Sequence, residues 1–60
     1  MARLPLKKEA ARMQRMLAGK IIRRVRRHRS KELTLEFEDG ARLFVDLTEH
    51  GLEFSITEGR

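Results

Sequence analysis

The residues from Lys20 to Lys31, KIIRRVRRHRSK, gather seven of the fourteen lysines and arginines into twelve positions without one acid. Guanidinium groups at that density suit the phosphates of a nucleic-acid backbone, because each phosphate neutralised releases counterions. A strand carrying them would lay a positive strip along a sheet edge. The same residues also have a plainer use. Set in a hairpin, Arg24, Arg26 and His28 would face Glu32, Glu36 and Glu38, and opposite-charge pairs across antiparallel strands contribute about 0.2–1 kcal/mol each. Those acids are too few to answer seven cations, so positive potential remains under either reading.

A second basic surface comes from Lys8, Arg12 and Arg15, which fall on one side of a helical pattern whose only acid is Glu9. With Arg3 and Lys7 it is the least neutralised stretch of the sequence. Aromatic support for base stacking is thin, since there are three phenylalanines and no tyrosine or tryptophan. By alternation Phe37 and Phe54 point to the core. Phe44 points outward between Thr34 and Ser55, a lone apolar residue on a polar face, and that trio is the expected self-association contact.

Catalysis finds little footing. Glu38 and Asp39 are explained by a turn, His50 by a second turn, and Ser30 has no sequence neighbours that would activate it. Gly40, Gly51 and Gly59 are turn or tail glycines, not a phosphate-cradling loop. With no cysteine, disulfides and thiolate metal sites are excluded, and His28 and His50 lack ligand-like spacing. No enzyme activity, metal, cofactor or small-molecule substrate is expected.

Sixty residues form one small domain near the lower limit of independent folding. Ordering each residue costs roughly 1–2 kcal/mol of backbone entropy, which a core this small barely offsets, so self-association is the expected extra source of stability. Charge divides the chain. Residues 1–31 carry twelve lysines and arginines against one acid, and residues 32–60 carry two arginines against eight acids, net charges of +11 and −6. No apolar run approaches the roughly 20 residues that span a bilayer, and nothing resembles a signal peptide, so a cytoplasmic protein with no membrane contact is expected.

The elements that must position these side chains follow from periodicity. Leu6, Ala10, Met13 and Leu17 form a helical stripe after Leu4-Pro5, with Gly19 placed for a left-handed stop. The spacing predicts a helix over about 5–18. Alternating runs predict strands at about 20–29, 33–38, 41–47 and 52–57, joined by Glu38-Asp39-Gly40 and Thr48-Glu49-His50-Gly51 turns. Ile22 and Val25 are three apart, and a bulge near Arg23-Arg24 brings both inward; pairing Ile21 with Val25 is the alternative. The fold class is α+β: one N-terminal helix packed on a four-stranded antiparallel β-meander, in two layers. The expected core is Leu6, Met13, Met16, Leu17, Ile22, Val25, Leu33, Leu35, Phe37, Leu43, Val45, Leu47, Leu52, Phe54 and Ile56.

The segments Leu17–Val25 (LAGKIIRRV), Leu33–Gly40 (LTLEFEDG) and Arg42–Leu47 (RLFVDL) resemble a pattern of small bacterial domains of unknown function, L-x-G-K-x-I-x-x-V followed by F-x-D-G. They are also similar to part of the N-terminal β-rich domain of formamidopyrimidine-type DNA glycosylases, over roughly residues 17–47. The resemblance implies a shared bulged strand and hairpin. Those enzymes begin with a catalytic proline and glutamate, whereas here Pro5 is followed by Leu6, so no glycosylase residue carries over.

The sequence therefore points to a small basic binding module, a homo-oligomer with a dimer favoured, contacting nucleic-acid backbone or another acidic partner through Arg3, Lys8, Arg12, Arg15, Arg23, Arg27 and Arg29. The rival expectation is an assembly domain of internally balanced charge, joined through Phe44, Thr34 and Ser55 or through the edge strand 52–58.

Overall fold

A computed structural model describes residues 5–59. Helix α1 (Leu6–Leu17) precedes strands β1 (Ile22–Arg26), β2 (Glu32–Phe37), β3 (Arg42–Thr48) and β4 (Gly51–Thr57). The strands pair antiparallel in chain order, an open meander with β1 and β4 as its edges. This is the α+β helix-on-meander fold the periodicity predicts. The first strand is shorter than expected, ending at Arg26, because residues 27–31 are drawn into the following loop.

Pro5 stands just before α1, where its missing N–H costs nothing, and its carbonyl accepts the Glu9 N–H at 2.9 Å. Gly19, at φ +78, turns the chain out of the helix. The adjoining Lys20 ammonium pairs with the Asp39 carboxylate, tying the helix exit to the β2–β3 turn. In that turn Asp39 Oδ1 accepts the Ala41 N–H at 2.9 Å, and Gly40 takes φ +92. A side chain has no room at Gly59, whose Cβ would stand 2.1 Å from the Asp39 carbonyl oxygen. The end of the described chain is thus seated on the same turn.

The bulge lies where Ile22 and Val25 require it. Ile22 pairs with Phe37 and Arg24 with Glu36, leaving Arg23 as the extra residue, so both apolar side chains reach the inner face. The core there is smaller than the sequence suggests. Phe37, Ala41 and Leu43 are buried, and Met13, Leu17, Leu35, Val45, Phe54 and Ile56 pack around them. Of the expected core residues, Leu6 is 82% exposed, and Ile22, Val25, Leu47 and Leu52 are each about half exposed. The cause is coverage. Helix α1 meets the buried cluster through Met13 and Leu17, in its C-terminal half, and its N-terminal half runs past the cluster. The inner face near the β1–β2 and β3–β4 turns therefore lies open.

Candidate functional site

Register fixes what the outer face presents. One cross-strand row reads Arg24–Glu36–Arg42–Thr57, the next Arg26–Thr34–Phe44–Ser55, and the last Glu32–Asp46–Glu53. The first two rows each carry a net charge of +1 and the last −3, so charge runs from basic to acidic along the strands. Alternate residues on one strand are about 6.7 Å apart, so the outer rows stand about 13 Å apart, beyond the roughly 8–10 Å over which exposed charges interact in physiological salt. The basic end keeps its own potential.

Glu36 organises that end. Its side chain is only 8% exposed, and its Oε2 accepts the Arg26 Nε–H at 2.6 Å. Arg42 Nε lies 3.8 Å from the same oxygen, and Arg23 Nη2 lies 3.8 Å from Oε1. Burial alone pushes the Glu36 carboxyl up, but the Arg26 hydrogen bond and charge, joined by Arg42 and Arg24, outweigh it and hold the group below its usual range. One carboxylate thus gathers four arginines, leaving a cluster of net charge about +3. The Arg23 and Arg42 side chains are more than half exposed, and Arg24 is exposed beside them. A shallow depression of about 300 Å³ opens beside them, lined by Arg26, His28, Thr34, Glu36, Arg42 and Phe44 together with Glu32.

The expected site residues are only partly brought together. Arg23 joins the cluster. Arg27 is taken up by the β1–β2 loop, its Nε donating to the Glu32 carbonyl and its Nη2 to the Ser30 carbonyl, both at 2.8 Å. Arg29 sits exposed in that loop, at the acidic end of the sheet. Lys8, Arg12 and Arg15 are exposed and have no ion-pair partner among the described residues. They lie on the side of α1 away from Met13 and Leu17, and α1 covers the inner face. Helix and strand cations therefore point to opposite sides of the domain. Arg3 lies outside the described residues. Phe44, Thr34 and Ser55 do share one row, with Thr34 buried and Phe44 half-buried.

Arg24, Arg26 and Arg42 are the additions. Alternation and the Glu-Asp-Gly turn already place Arg24 and Arg26 outside. Arg42 is masked in the sequence by its acidic surroundings, although it alternates with Phe44. Of the three acids expected to answer the strand, Glu36 alone engages its guanidinium groups. Glu38 is exposed in the turn, and Glu32 offers Arg27 its backbone carbonyl.

The two best-held carboxylates give a pH dependence. Asp39 is also held low, by the Lys20 hydrogen bond and the Ala41 N–H. A group whose folded value is depressed contributes stability above its unfolded value and loses it as pH falls through the folded one. Melting temperature should be level above the ordinary values of 4.5 for Glu36 and 3.8 for Asp39 and fall below them. Circular dichroism melts across an acid series measure this. Glu36→Gln should lower Tm at neutral pH and flatten the acid limb, and a Tm unchanged down to about pH 3 would contradict the assignment.

Among the described residues no group of histidine, aspartate or glutamate has the arrangement of a metal site, and no helix is long and apolar enough to cross a membrane. The molecule is an α+β domain with an arginine-lined outer sheet face. No known protein family, curated protein or solved structure matches the chain.

Proposed function

We propose that this chain is a non-enzymatic, homo-oligomeric binding module of the cytoplasm that holds nucleic-acid backbone against the outer face of its sheet. The observation that carries the reading is the arginine cluster around Glu36. A structural ladder would spend its arginines one to one on acids. Here four cations share a single carboxylate that hydrogen-bonds only Arg26, so Arg23, Arg24 and Arg42 keep guanidinium donors for a phosphate. Contacts of this kind follow phosphates and not bases, so affinity should vary little with sequence and fall steeply with salt. Fluorescence anisotropy with labelled oligonucleotides between 50 and 200 mM salt (about a 1–2 log window of affinity for three phosphates) tests it. Absence of binding at the low end would end the proposal.

The open inner face favours a second reading, an assembly domain. Val25, Leu47 and Leu52 are exposed there, and a chain with so little buried surface gains most from covering them. Sedimentation at micromolar concentration should give a dimer, and Leu47→Ser with Leu52→Ser should give a folded monomer. A wild-type monomer would remove this reading and the oligomeric part of the first, and leave its nucleic-acid binding standing.

A further inference from the structure

We propose that the nucleic acid bound is single-stranded, with its backbone along the Arg24–Arg42 row and one base stacked on Phe44. This rests on the reading of the outer face as a nucleic-acid surface, and adds which strand form it takes and how.

Phe44 is the one aromatic residue on that face. It belongs to the row beside the basic one, with Arg42 two positions away on its own strand and Arg26 in its own row. It is half-buried and lines the depression with Arg26, Arg42, His28 and Thr34, where Glu36 is already held by Arg26 and Glu32 stands at the acidic side. At about 300 Å³ that hollow is at the bottom of the range for small-ligand sites, about 300–1,000 Å³, and suits one nucleoside unit. Arg26 and Arg42 line the same hollow as the ring, the arrangement in which a phosphate is neutralised while its base turns onto an aromatic face.

Duplex fits this surface poorly. Its bases are already stacked and present only edges in the grooves, and reading them takes a helix or ribbon that enters a groove. Helix α1 lies on the other side of the sheet, and the outer face offers no projecting element. The face of a half-buried ring that lines a hollow is met by a base that has left its stack, which single strands supply at little cost. The acidic row of Glu32, Asp46 and Glu53 sets the path. There Arg29 and Lys31 stand among acids that offset them, so the strand crosses the sheet along the basic row instead of running along β1.

The test uses a labelled 12-nucleotide single strand, its duplex and a labelled polyglutamate, each titrated at low salt against the intact chain. The single strand should bind at least about tenfold more tightly than duplex or polyglutamate. Phe44→Leu keeps an apolar side chain and removes the ring; it should cost the single strand about tenfold and leave duplex binding unchanged. Phe44→Tyr keeps the ring and should retain affinity. Circular dichroism confirms that both variants fold. Equal binding of single strand and duplex, or a silent Phe44→Leu, overturns the stacking site while leaving backbone binding standing. Failure to bind either nucleic acid overturns both, and tighter binding of polyglutamate assigns the face to an acidic protein.

Discussion

Leu43→Ala should leave the chain unfolded at 25 °C. Leu43 occupies the centre of the inner face, paired to Leu35 on one side and Ile56 on the other, in the buried cluster on which Met13 and Leu17 rest. Replacing a buried leucine with alanine costs about 2–5 kcal/mol, because the cavity left behind collapses only in part. A core in a chain of this size supplies about 3–5 kcal/mol in total. One substitution therefore removes most or all of the margin, where in a larger domain it would merely lower Tm. Far-UV circular dichroism should show loss of the sheet signal and no cooperative melt. The control is Leu47→Ala: the same chemical change at a side chain already 48% exposed should cost under about 1 kcal/mol and keep the melt. If both variants melted alike, the cluster around Phe37, Ala41 and Leu43 would not be the core.

That contrast also marks where sequence patterning stops being informative. Alternation assigns Leu43 and Leu47 to the same face with equal force, and the two differ only in what lies above them. Likewise Leu6 belongs to the apolar stripe of α1 by spacing, yet helical periodicity says which side of a helix is apolar and nothing about how far the opposing sheet extends beneath it. Local features were legible because their causes are local. The Glu-Asp-Gly turn needs a glycine at positive φ, and the three-residue step from Ile22 to Val25 needs a bulge if both are to face inward. Ala41 carried no such signal. It is buried because the chain folds back at the β2–β3 turn and Gly59 closes on it, a contact between residues eighteen apart in sequence. The candidate site divides the same way. Arg24 and Arg26 follow from alternation, while the loss of Arg27 to two loop carbonyls depends on the three-dimensional path of residues 27–31.

Arg24→Gln combined with Arg42→Gln should weaken nucleic-acid binding about a hundredfold at low salt, since a charge-assisted contact to phosphate is worth about 1.5–3 kcal/mol and tenfold is about 1.4. These two are the right pair because the 2.6 Å Arg26–Glu36 bond survives their removal, so the buried carboxylate keeps its partner and the fold its melt. Each phosphate contact contributes about 0.7–0.9 to the slope of log affinity on log salt, so the slope should fall by about 1.5. Lys8→Gln with Arg12→Gln and Arg15→Gln removes one more charge from the molecule and makes the sharper comparison. If net charge alone drew the ligand, the helix variant would lose at least as much affinity as the strand variant. If placement matters, the helix variant should stay within about threefold of the parent, because its cations face away from the sheet surface where Glu36 gathers the arginines. Salt titrations of the two variants side by side decide between a diffuse positive charge and a site.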